Sequence, residues 1–68
     1  MADERPPIRL DQFLKRLGWV RSGGEAKHLI QAGMVRLNGQ VETRRSKKLY
    51  PGDRVALGDR EAVVESEG

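Results

Sequence analysis

Few residues in this chain could make or break bonds. His28 is the single histidine, and there is no cysteine. General acid–base or nucleophilic catalysis needs a convergent set of groups, and no such set can be assembled here. Glu25 has a structural use as part of a helix cap. Asp53 follows Pro51-Gly52, where it shapes a turn. A lone helical histidine is ordinarily a solvated surface residue. Gly23-Gly24 lacks the strand, glycine loop and long helix of a phosphate-loop or dinucleotide motif. No metal-ligand spacing is present, and the acidic C-terminal segment lacks the ordered pattern of a calcium loop. The chain therefore reads as no enzyme, with no cofactor, no metal and no small-molecule substrate.

What remains is binding chemistry carried by cations. The net charge of +3 is unevenly spread. From Arg5 to Lys48, eleven Lys and Arg stand against three acids, a net of +8, whereas residues 1–4 carry −2 and residues 49–68 carry −3. A solvated charged surface is common in small proteins, but this concentration favours a polyanionic partner. The densest part is Arg44-Arg45-Ser46-Lys47-Lys48, four cations in five residues. It is too charged for a core strand and reads as an exposed loop or edge.

The element that must position the other cations is a short helix over 22–33. Ser22 and Glu25 have the spacing of a capping box. The serine hydroxyl would accept from the Glu25 N–H, and the Glu25 carboxylate from the Ser22 N–H. Gly33 suits the left-handed position past the helix end. Ala26, Leu29, Ile30 and Gly33 share one face, with Lys27, His28 and Gln31 on the others. Arg21, two glycines and a helix N-terminus together make a possible phosphate seat. The same residues would also serve as nothing more than a well-capped amphipathic helix.

The remaining elements follow in order. Residues 1–7, with Pro6-Pro7, read as a disordered lead. Ile8-Arg9-Leu10 suits a short strand or the entry to a helix. Leu10, Phe13, Leu14 and Leu17 have helical spacing and predict about two turns of amphipathic helix ending at Gly18. Asp11 in its first turn suits the helix dipole. Lys15 projects away from the apolar stripe, and Arg16 lies on its flank. Trp19-Val20 bridges to the capped helix, with Trp19 packed between helix ends. The period then becomes alternating. Val35 and Leu37 share one face and Arg36 the other. Asn38-Gly39 predicts a type I′ hairpin turn, with 40–43 as the returning strand. Tyr50-Pro51-Gly52-Asp53 is a turn signal. Residues 54–57 and 60–65 predict the last strands, joined by Gly58-Asp59, and 66–68 a frayed tail.

The expected fold class is α+β: two short N-terminal helices packed on a small, mostly antiparallel sheet of three to five strands. Sixty-eight residues make one small domain, expected over 8–65. Without cysteine, neither disulfides nor a thiolate metal site can brace it. No apolar run approaches the ~20 residues of a membrane span. The first residues lack the apolar segment of a secretory signal, so a cytoplasmic location without membrane contact is expected.

Arg9-Leu10-Asp11, Leu14, Gly18, Ser22, Ala26, Leu29-Ile30, Gly33, Val35, Asn38-Gly39 and Gly52-Asp53 resemble, in order, the pattern of the S-four RNA-binding domain. That family is named after ribosomal small-subunit protein four. The resemblance covers about residues 8–57, and residues 22–27 and 38–48 look most like small stand-alone bacterial members. It implies a helix-helix-sheet fold, the αL motif, binding structured RNA such as ribosomal or transfer RNA. It implies an RNA surface built on the start of the second helix and neighbouring loops. By position this points to Arg21, Ser22, Gly23 and Lys27, extended by Lys15, Arg16, Arg36, Arg44, Arg45, Lys47 and Lys48. One departure stands out: many members have Arg directly after the serine, where this chain has Gly23.

The resulting expectation is a non-catalytic, monomeric RNA-binding protein associated with translation or the ribosome. The competing reading is a protein-interaction module whose basic face docks an acidic protein surface. Double-stranded DNA is a weaker third, because Lys27, His28 and Gln31 offer little base-reading chemistry. Trp19, Tyr50 and Phe13 are the only aromatics, too few for a single-strand stacking platform. Structured RNA suits the chain better.

Overall fold

Residues 8–65 are described in the computed structural model of the protein. The lead expected at 1–7 and the tail expected at 66–68 lie outside the described residues. Residues 8–10 turn out to be both strand and helix entry. Ile8–Arg9 forms strand β1, and helix α1 begins at once, Leu10–Arg16. Leu10, Phe13 and Leu14 are buried, with Leu17 packed beside them. Asp11 sits in the first turn, where its carboxylate accepts from the Gln12 N–H at 2.8 Å. The helix closes as Gly18 N–H donates to Lys15 O and Trp19 N–H to Leu14 O, the paired bonds of a Schellman motif. Trp19 is half-buried against the core.

Helix α2 spans Gly23–Gln31. Ser22 caps it, its Oγ accepting from Glu25 N–H at 3.1 Å. The return bond differs from the expected box. The Glu25 carboxylate accepts from the N–H of Arg21 at 2.7 Å, one residue earlier than Ser22. Extended backbone at Ser22 (φ −150°, ψ 166°) leaves that preceding N–H within reach of a side chain folding back from the first turn. Gly33 stands at φ +80°, and Gly33 N–H to Ile30 O and Met34 N–H to Leu29 O complete a second Schellman closure.

The chain then alternates. Strand β2 is Val35–Leu37, β3 Gln40–Val41, β4 Lys48–Leu49, β5 Arg54–Leu57 and β6 Arg60–Val63. Asn38 and Gly39 have φ of +54° and +86°, both positive as the type I′ turn demands. Strands β3-β2-β5-β6 form one antiparallel sheet, while β1 and β4 form a separate two-stranded ladder. Five strands follow the helices, at the upper bound expected, but not in one sheet. Two strands are also shorter than expected. Strand β3 stops at Val41, although Glu42 N–H still donates to Val35 O, and the Glu42 carboxylate then accepts from the N–H of Arg44. Strand β6 stops at Val63, although Val64 still exchanges bonds with Gly52 and Asp53.

Both helices bury their apolar sides with the inner sheet face. Leu10, Leu14, Ala26, Ile30, Val35 and Val55 are fully enclosed, and Leu49 joins the two-stranded ladder to the same core.

Candidate nucleic-acid interface

The first N–H groups of any helix lack partners within it. In α1 two of them are met from the cationic segment. Leu10 N–H donates to the carbonyl of Lys47 at 2.9 Å, and Asp11 N–H to that of Arg45 at 3.1 Å. The backbone of 45–47 is thereby fixed against the start of α1. Arg45 and Lys48 are exposed and Lys47 half-exposed, and none of the three forms an ion pair among the described residues.

The β1–β4 ladder adds a cation that sequence reasoning missed. Its register sets Ile8 opposite Leu49 and Arg9 opposite Lys48. Leu49 turns into the core, so Arg9 and Lys48 share the outward face. Directly opposed residues of an antiparallel pair lie roughly 4.5–5.5 Å apart at Cβ, and like charges there repel. Asp11 relieves only part of this, its Oδ1 lying 3.5 Å from Arg9 Nε. Nothing local in the sequence marks residues 9 and 48 as partners.

Arg44 is engaged differently. Its Nε donates to the Glu42 carboxylate at 3.1 Å, as does its backbone N–H. The Arg44 side-chain bond holds the Glu42 carboxyl below its ordinary pKa, against the opposing effect of burial. Arg44 therefore brings less free charge than Arg45, Lys47 or Lys48.

The second group lies at the other end of α1, about 10 Å away for seven residues at 1.5 Å each. Lys15 and Arg16 occupy its last turn. Arg21 and Ser22 are exposed just before α2, and Lys27 is exposed on α2. The N–H groups of Gly23 and Gly24 enter no hydrogen bond among the described residues. A Cβ at Gly23 would meet nothing within 4 Å, so this helix start is sterically open. Glu25, bonded to the Arg21 N–H, places a carboxylate beside the expected phosphate seat.

Arg36 is not gathered with these groups. Val35 and Leu37 point into the core shared with the helices, so alternation sends Arg36 to the opposite sheet face. It cannot extend the helix-side surface.

Among the described residues, no three His, Cys, Asp or Glu are placed to hold a metal ion. No helix there is long and apolar enough to cross a membrane.

Two short helices on a small antiparallel sheet, with cations at both ends of the first helix, define a small basic α+β binding domain. Residues 2–65 match the family model of the S4 domain, and the chain belongs to that family. It is 36% identical over 61 residues to "Putative RNA-binding protein YbcJ" of Escherichia coli (strain K12), covering 90% of this chain and 87% of that one. It is 42% identical over 50 residues to "Probable ribosome maturation protein RlbA" of Bacillus subtilis (strain 168), covering 74% and 70%. It is 38% identical over 55 residues to small ribosomal subunit protein uS4 of Dictyoglomus thermophilum, covering 81% of this chain but 27% of that protein.

Proposed function

We propose that this chain is a non-catalytic RNA-binding protein that recognises structured ribosomal RNA and associates with the ribosome in the cytoplasm. It acts as a monomer. Its RNA face comprises Arg9, Arg45, Lys47 and Lys48 at the start of α1, and Lys15, Arg16, Arg21, Ser22, Gly23 and Lys27 at its other end. Arg44 contributes in part.

The observation that carries this reading is the cation pair on the β1–β4 ladder. Arg9 and Lys48 are held opposite each other, beside two further cations fixed to the first turn of α1. Like charges so placed cost stability. A phosphate between them removes that cost, and releases counterions as it binds. Membership of the S4 family supports the same reading, as do relatives named for RNA binding, ribosome maturation and the small ribosomal subunit.

The test is crosslinking of the protein to RNA in its native cells, with sequencing of what is attached. One enriched ribosomal RNA element is expected. Enrichment of transfer RNA would replace the target. Background recovery, together with binding in vitro that poly-glutamate outcompetes against structured RNA, would make the basic face a protein-docking surface.

A further inference from the structure

A groove of about 390 Å³ runs between the β2–β3 hairpin and β4, lined among others by Val41, Gln40, Lys47, Lys48 and Tyr50. This lies at the small end of the range, roughly 300–1,000 Å³, typical of pockets for small molecules. Its contents are unusual for this surface. Tyr50 is 55% exposed and Val41 likewise 55%, so an aromatic ring and a branched apolar group stand open beside two lysines.

The acids of the groove are already engaged. Asp53 accepts from Asn38 Nδ2 at 3.2 Å with one oxygen and from Tyr50 N–H at 2.9 Å with the other. Asn38 Oδ1 in turn accepts from Arg54 N–H at 3.0 Å. Glu42 is bound to Arg44. The groups left open are the Lys47 and Lys48 ammoniums, the Gln40 amide, and the ring and hydroxyl of Tyr50, none of which has a side-chain partner among the described residues. The Asn38–Asp53–Tyr50 clamp also fixes the backbone that carries the ring. Presenting it to a ligand thus costs little further ordering.

We infer that this groove receives one unpaired nucleotide of the bound RNA, an inference that rests on the RNA-binding reading above. The base stacks on Tyr50 and Val41, the Gln40 amide meets its edge, and its phosphate lies with Lys47 and Lys48. Unpaired bases stacked on aromatic side chains are how proteins commonly read RNA sequence. A single open aromatic does not track a strand, but it suffices to hold one base. The Tyr50 groove thereby adds selectivity for a bulge or loop to a face that otherwise contacts only backbone.

The experiment measures binding at low salt to two RNA hairpins, one fully paired and one with a single bulged uridine, using the wild type, Tyr50→Ala and Tyr50→Phe. Circular dichroism checks that each variant is folded. The wild type should prefer the bulged hairpin by about tenfold, the lower part of the range measured for stacking one base. Tyr50→Ala should abolish that preference without weakening binding to the paired hairpin, and Tyr50→Phe should retain it. A 5-iodouridine at the bulge should crosslink to Tyr50. Equal binding of both hairpins by wild type and Tyr50→Ala, with no crosslink to Tyr50, would overturn the groove assignment and leave RNA binding intact. Failure of both hairpins to bind would overturn the RNA reading and the groove with it.

Discussion

Replacing Arg45, Lys47 and Lys48 together by Ala isolates the charge of the β4 approach from its architecture. The bonds that fix this segment to α1 come from backbone carbonyls, so the substitutions leave them in place. Removing Lys48 also relieves its repulsion with Arg9, and the variant should unfold no earlier than wild type. Each phosphate contact contributes about 0.7–0.9 to the dependence of log K on log salt, so losing three should flatten the slope by roughly 2–2.7. Between about 50 and 200 mM salt, the wild type should then lose roughly 20–40-fold more affinity than the variant. Fluorescence anisotropy of a labelled structured RNA across a salt series reads this directly. Arg36→Ala is the matched control, since Arg36 faces away from the helices, and its slope should equal that of wild type. An unchanged slope in the triple variant, or an equal loss in the Arg36 control, would refute the interface as drawn.

Three further outcomes are expected. Ser22→Ala removes the Oγ acceptor for the Glu25 N–H and should lower stability by about 1 kcal/mol, or roughly 4–8 °C in thermal unfolding of a domain this size; collapse of RNA binding with unchanged melting would make Ser22 a contact residue instead. Gly23→Arg has open space to enter and adds a cation at the start of α2, so it should steepen the salt slope by about 0.7–0.9, whereas no change would place Gly23 away from the RNA. The Glu42 carboxyl, held below its ordinary value of 4.5 chiefly by Arg44, contributes stability that is fully present above that value and is lost as pH falls through its lowered folded value. Carboxyl-carbon NMR should show this titration, and Arg44→Ala should raise its midpoint toward the ordinary value.

Local pattern accounts for what sequence reasoning found. The helices, both Schellman closures and the Asn38-Gly39 turn depend on residues within a few positions of one another, so their signals lie in short windows. The alternation of Val35, Arg36 and Leu37 likewise specified which side faces the core. Lost to that reading was everything set by pairing at a distance. Strand β1 finds β4 across most of the chain, which splits the sheet and makes Arg9 a neighbour of Lys48. Arg36 joined the surface implied by the resemblance, although its alternation with Val35 and Leu37 sends it to the other sheet face. The same surface took in Arg44, whose guanidinium is paired with the acid two residues before it.

The seam between α1 and residues 45–47 has a consequence for synthesis of the protein. Closing a loop of this length costs about 3 kcal/mol beyond a fixed term, so helix packing and the β2–β3 hairpin can form before the seam does. On a translating ribosome, α1 and α2 emerge well ahead of Lys47 and Leu49. Until those residues clear the exit tunnel, the first turn of α1 lacks its carbonyl partners and Arg9 faces no strand. A chain that has emerged only as far as Gln31 therefore carries both helices but neither the ladder nor the carbonyls that shape the cationic face beside α1.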